Sequence, residues 1–193
     1  MISPSPVWHP FTQHGLGEPI PVVERAEGAV LQCADGRTLI DAISSWWVIT
    51  HGHCEPRIVQ AIQDQAARLD QVIFAGYSHE PAEQVAQGLV RLTGAALPWG
   101  DPLSHVFFSD SGSTAVEVGL KMALGYWHNI GAARHRIVVM EHSYHGDTIG
   151  TMSVGERGVF NRPYASLLFD VETIPFPSAG HEQETLDALE RAC

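Results

Sequence analysis

Lysine occurs once in the 193 residues, at Lys121, and cysteine only three times, at Cys33, Cys54 and Cys193. An odd, widely spaced set without a Cys-x-x-Cys pair makes no disulfide framework and fits a reducing compartment, so a cytoplasmic location is expected. Cationic side chains are sparse as well: 11 against 22 acidic residues, a formal net charge of −11, with no Lys/Arg cluster. That balance excludes nucleic acid and an anionic membrane surface as expected partners and leaves small, soluble ligands. No apolar run approaches the roughly 18 residues of a membrane span. Met1-Ile-Ser-Pro-Ser-Pro6 also lacks the basic-then-apolar layout of an export signal. His51-x-His53 and His142-x-x-His145 come without a third ligand nearby, so no metal site is expected. Cys54 has no recognisable base beside it and is not read as a nucleophile.

What is present is a chain with 45% hydrophobic residues, enough for a core. About the first 25 residues, with Pro4, Pro6, Pro10, Pro19 and Pro21, read as an extended arm. From Ala29 to Ala42 two short strands are expected about the turn Ala34-Asp35-Gly36-Arg37. Helical spacing follows from Pro56 to Asp70 (Ile58, Ile62, Ala66, Leu69) and from Pro81 to Thr93 (Val85, Leu89, Leu92). The period then changes: His105 to Ser109 reads as a strand, Thr114 to His128 as a helix, and Arg136 to Met140 as a second strand. Strand, helix, strand at this length predicts a βαβ unit. One more short strand is expected within Phe169–Pro177, then a helix over Glu182–Ala192 that runs to the chain end without a cap. That stop looks artificial, and the chain reads as the N-terminal part of an enzyme.

Two segments carry chemistry. In Ser109-Asp-Ser-Gly-Ser-Thr114 a strand hands over to a helix through small residues, so backbone N–H groups and hydroxyls can converge on a phosphate. The plainer alternative is a capped helix, with Thr114-x-x-Glu117 as a capping box. In Ser143-Tyr-His-Gly-Asp-Thr148, Tyr144 should emerge beyond the strand ending at Met140, facing the same crevice as the Gly112-Ser113 loop. Its ring can stack on a flat heteroaromatic group, Gly146 permits close backbone approach, and Asp147 can anchor the turn. An interface or core tyrosine with a satisfied hydroxyl is the alternative.

Trp8-His-Pro-Phe-Thr-Gln13, Asp41-Ala-Ile-Ser-Ser-Trp-Trp47, Gly52-His53, Ser111-Gly-Ser113 with Ala115-Val-Glu117 and Lys121-Met-Ala123, and Ser143-Tyr-His-Gly-Asp147 occur in this order. From about Trp8 onward the chain thereby resembles the class III, fold-type I pyridoxal-phosphate aminotransferases. The resemblance implies an α/β fold of that type: a mostly parallel central sheet with covering helices, plus part of a small α+β domain. Residues 1–54 would be the arm and small-domain segment, and 55–193 the first half of the large cofactor-binding domain. It implies pyridoxal 5'-phosphate as cofactor, with Gly112 and Ser113 on its phosphate, Tyr144 lining the ring and substrate pocket, and Trp46 and Phe11 at the substrate. Some members carry tyrosine at the position of Phe11 and use its hydroxyl. For Trp46 the alternative is burial beside Trp47, since adjacent side chains in extended chain point to opposite sides.

Within the family, Ser-Ser-Trp-Trp together with Trp8-His-Pro is most similar to members serving biotin synthesis. The implied amino donor is S-adenosylmethionine and the implied acceptor 8-amino-7-oxononanoate, in a homodimer. A class III enzyme acting on ω-amino acids or diamines with pyruvate, and a short non-catalytic binding protein, remain alternatives. Transamination needs a Schiff-base lysine and a carboxylate for the pyridine nitrogen. The family places both beyond residue 193, so the chain holds no catalytic residue of its own and is expected to be inactive alone. Lys121, four residues after Glu117, is expected to form a helical ion pair with it.

Overall fold

The computed structural model describes residues 5–97 and 103–193, so Pro4 of the expected arm lies outside the described residues. The chain divides into two compact units, Met1–Gln84 and Val85–Cys193, which are described separately.

The first unit is built on a three-stranded antiparallel meander of β1 (Val23–Glu27), β2 (Val30–Cys33) and β3 (Thr38–Ile40). Glu27 faces Val30 across a turn whose first residue, Gly28, has φ +56, a conformation that glycine adopts at little cost. Val30 pairs with Ile40 around the expected Asp35-Gly36 turn, where the Asp35 carboxylate accepts from the backbone N–H and the guanidinium of Arg37. β1 departs from the extended arm expected over about the first 25 residues, because pairing with β2 makes its residues a strand. After the meander the backbone enters a single turn, α1 (Ser44–Trp47), closed by Trp47 N–H to Ile43 O at 2.9 Å and Val48 N–H to Ser44 O at 2.9 Å. Its φ values are all positive: +49, +44, +65 and +68 from Ser44 to Trp47. It is a left-handed turn of four L-residues, each costing about 1–2 kcal/mol against the right-handed form. α2 (Pro56–Arg68) begins where expected and ends two residues before Asp70, where Leu69 turns extended, with Pro56 in its first turn and the Glu55 carboxylate accepting from Ile58 N–H at 2.9 Å.

α3 (Glu80–Ala96) extends the expected helix by a residue or more at each end and crosses the division between units. In the second unit α4 (Gly112–Asn129) is long and well capped, and β4 (Val138–Met140) pairs in parallel with β5 (Glu172–Ile174), Val139 facing Thr173. Between them lie α5 (Ile149–Ser153) and a 3₁₀ segment (Arg162–Leu167), and α6 (Glu182–Ala192) closes the chain with acidic residues in its first turn and Arg191 in its last. Parallel pairing around intervening helix fits the expected α/β class. The crossover, however, joins β4 to β5: residues 103–109 form no strand among the described residues, because an extended run becomes a strand only when a partner pairs with it.

The core of this unit gathers on α5, where Thr151 and Ser153 are fully buried and Met152, Val154 and Ile174 nearly so. The buried hydroxyl of Ser153 is satisfied: its Oγ donates to Ile149 O at 2.7 Å and accepts from Phe169 N–H at 3.2 Å. Arg157 ties the surrounding loops together by donating to the carbonyls of Met152 and Phe169. Across the chain many large apolar side chains stay exposed, among them Ile62 on α2, Leu92 on α3 and Phe107. The expected helical faces therefore exist as faces but are left exposed among the described residues.

Candidate functional site

In the second unit, Ser111 stands at the N-cap of α4 in extended conformation. Its hydroxyl accepts from Thr114 N–H at 3.2 Å, while Thr114 Oγ1 accepts from Ser111 N–H at 3.0 Å and from Ser109 Oγ at 2.6 Å. The capping box is thus Ser111 with Thr114, not Thr114 with Glu117. The first N–H groups of a helix have no intrahelical acceptor. Those of Gly112 and Ser113 consequently sit at the positive end of an 18-residue helix, and a Cβ added at Gly112 would meet nothing within 4 Å. This end of the helix is open.

Against it lies the loop after β4. A Cβ on Gly146 would fall 2.0 Å from Ser113 Oγ, 2.9 Å from its Cβ and 3.1 Å from its Cα, and Gly146 has φ +123. Only glycine fits there, which is the physical reason for the Tyr-His-Gly-Asp spelling. The loop that carries Tyr144 is thus brought against Ser113 through Gly146. Tyr144 is 74% exposed, and its hydroxyl donates to Asp147 Oδ2 at 2.8 Å, so it is no core tyrosine. That bond to Asp147, then loss of solvation, raises the phenol above its ordinary value.

Glu117 does something its position in the sequence did not announce. Its carboxylate reaches the N-terminus of α5, accepting from Thr148 Oγ1 at 2.6 Å and from Gly150 N–H at 2.9 Å. A Cβ on Gly150 would stand 2.3 Å from Glu117 Oε2. Glu117 therefore sets the register between α4, which carries Gly112 and Ser113, and the segment that follows Tyr144. Lys121, expected to pair with Glu117, is exposed and forms no ion pair among the described residues, because the carboxylate faces α5 instead.

The first unit holds Phe11, Trp46 and Trp47. Phe11 and Trp46 stack with ring centroids 5.5 Å apart and planes 10° from parallel, and Trp46 lies 5.8 Å from Trp47 at 49°. Burial of Trp46 beside Trp47 is not what occurs, since the two are 58% and 76% exposed. In a left-handed turn neighbouring side chains do not alternate as they do along a strand, so both indoles reach one side. Beneath them, Asp41 Oδ1 accepts from Ser45 N–H at 2.9 Å, and Asp41 Oδ2 accepts from Ser45 Oγ at 2.8 Å and from His53 Nε2 at 2.7 Å. The Asp41 side chain is only 5% exposed. The Ser45 N–H first, then His53 and the Ser45 hydroxyl, hold its carboxyl down to about 2. Nothing in the local sequence flags this role of Asp41 or His53 beyond their membership of the quoted segments.

The residues of the second unit suit a phosphate bearing a planar ring. Ser113 fills the space that a side chain at position 146 would take, the first N–H groups of α4 lie beside it in sequence, and the Tyr144 ring is exposed. Residues 12–193 match the family model "Aminotransferase class-III". The adenosylmethionine-8-amino-7-oxononanoate aminotransferase of Synechococcus elongatus is 54% identical over 187 residues, covering 96% of this chain and 42% of the relative. A crystal structure of the enzyme of that name from Methanocaldococcus jannaschii superposes with a TM-score of 0.84 at 32% identity, over 96% of this chain and 42% of that one. A PLP-bound amine transaminase from an uncultivated Pseudomonas species gives 0.79 at 25% identity, over 97% and 44%. The chain thus spans about two-fifths of the length of these relatives.

Proposed function

The chain belongs to the class-III aminotransferases, and from that premise we propose that the protein it forms part of moves an amino group from S-adenosylmethionine to 8-amino-7-oxononanoate, giving 7,8-diaminononanoate for biotin synthesis. The observation that carries this reading is the 54% identity, over 96% of the chain, to a relative named for that reaction. In it, the N–H groups of Gly112 and Ser113 and the Ser113 hydroxyl hold the phosphate of pyridoxal 5'-phosphate, their charge complementing the helix end. Tyr144 lies along the ring, its hydroxyl oriented by Asp147. Trp46 and Phe11 form the wall on which substrate rests, with apolar contact from both rings and no hydroxyl from Phe11. The cofactor, when bound, supplies the electron sink that makes the substrate Cα proton acidic.

Lys121, exposed in mid-helix, is unsuited to the Schiff base, which is assigned to a lysine outside these residues. Residues 1–54 are read as arm and small-domain segment and 55–193 as the first half of the large domain. The uncovered apolar faces of α2 and α3 and the proline-rich arm support a homodimer, and the three widely spaced cysteines support a cytoplasmic location. Among the described residues no helix is long and apolar enough to cross a membrane.

A second reading, an amine transaminase using pyruvate, draws on Phe11 and on the likeness to the Pseudomonas amine transaminase. A single-turnover experiment separates them. The complete gene product, loaded with pyridoxal phosphate, is mixed with S-adenosylmethionine or with alanine while the visible absorbance of the cofactor is followed. A change with S-adenosylmethionine alone is expected, and a change with alanine alone transfers the assignment to the pyruvate-linked reading.

A further inference from the structure

We infer that Asp41 is a positioning residue for substrate: through Ser45 and His53 it holds the left-handed turn that presents Trp46 to Phe11. The inference rests on the reading of Trp46 and Phe11 as the substrate wall. It begins from a conflict in the backbone. Ser44, Ser45, Trp46 and Trp47 all take positive φ, which none of them prefers, so the turn needs an anchor from outside itself. The Asp41 carboxylate is hydrogen-bonded into the turn, engaging both the N–H and the hydroxyl of Ser45, with His53 Nε2 3.5 Å from the same hydroxyl.

An ionised carboxylate only accepts, so His53 donates from Nε2 to the same Oδ2 that receives the Ser45 hydroxyl. His53 is itself fixed by the backbone, exchanging hydrogen bonds with Gly28 at 3.1 and 2.7 Å. There the approach is so close that a Cβ on Gly52 would sit 3.1 Å from Gly28 Cα. The order of support runs from the β1–β2 turn to His53, from His53 to Asp41, from Asp41 to Ser45, and from that backbone to the indole of Trp46. Phe11, also at positive φ (+56), meets that indole in a parallel stack. Without the anchor, residues 44–47 relax toward right-handed or extended backbone, the indoles separate, and the wall against substrate is lost. The loop read as holding the phosphate belongs to the other unit.

The test uses the complete gene product as holoenzyme, comparing wild type with Asp41→Ala, Asp41→Asn and Trp46→Phe. The paired indoles give an exciton couplet in far-ultraviolet circular dichroism, which reports the turn without reference to activity. Asp41→Ala is expected to lose most of the couplet and to raise KM for the substrate on the wall about tenfold, with pyridoxal phosphate loading unchanged. Asp41→Asn, which still accepts from Ser45 N–H and can donate towards Ser45 and His53, is expected to recover most of both. A full couplet in Asp41→Ala overturns the inference, as does an Asn variant no better than Ala. If Asp41→Ala does not accumulate as folded protein, Asp41→Ser, too short to reach both partners, replaces it and is read identically. A Trp46→Phe enzyme with wild-type KM would instead overturn the assignment of the wall, while the couplet still decides the role of Asp41.

Discussion

Replacing Gly146 by alanine tests the contact between the loop after β4 and the start of α4. The new methyl would begin 2.0 Å from Ser113 Oγ, a clash that rotation of the hydroxyl relieves. It would also lie 2.9 Å from Ser113 Cβ and 3.1 Å from Ser113 Cα, against 3.4 Å for an ordinary contact, and those atoms move only with the backbone. The two segments must therefore part by about half an ångström. Overpacking of this kind costs about 1–3 kcal/mol, and alanine at φ +123 adds strain of similar order. A loss near 2 kcal/mol expressed in cofactor binding corresponds to roughly a 30-fold rise in Kd for pyridoxal phosphate. The assay is an absorbance titration of the apo form of the complete gene product. Gly158→Ala serves as control, since a Cβ there meets nothing within 4 Å and φ is not positive. Wild-type affinity in Gly146→Ala would refute the claim that this contact shapes the cradle.

Glu117→Ala leaves Gly150 N–H and the Thr148 hydroxyl without their acceptor, so a destabilisation of about 1–3 kcal/mol is expected in thermal or urea denaturation; a variant as stable as wild type would show that the α4–α5 link is idle. For Asp41, the folded value of about 2 lies below the ordinary value near 3.9. Its contribution is thus complete above about pH 4 and is lost as pH falls towards 2. The indole couplet should hold at pH 5 and fade over that window, whereas a couplet that fades above pH 5 would point to another group.

Helix ends were legible where the signal is local. Glu55-Pro56 starts α2 and the span Glu182–Ala192 is α6 as read, because capping, proline at the first turn and terminal charge act within one turn. The glycine at 146 was legible as a point of close approach, though not what it approaches. Other features depend on partners far along the chain. Glu117 fits the spacing of both a capping box and an ion pair with Lys121, and it does neither because Thr148 and Gly150, 31 and 33 residues away, claim its carboxylate. His105–Ser109 has the composition of a strand, but pairing lies outside any local pattern. The positive φ of Ser44–Trp47 has no propensity signature at all: serine and tryptophan prefer other backbone, and Asp41 with His53 imposes this one.

That imposed turn also has a place in the order of folding. A segment whose intrinsic preference opposes its final form cannot nucleate structure, and interactions formed after the rate-limiting barrier leave folding speed unchanged when removed. Asp41 reaches Ser45 locally, but its other partner, His53, is fixed only once the bridge from Gly28 to His53 has formed. The stack of Phe11 on Trp46 is therefore expected to form late in folding. Substitutions in the turn will act on how long the finished wall persists, by speeding its opening, and hardly at all on how quickly the chain collapses.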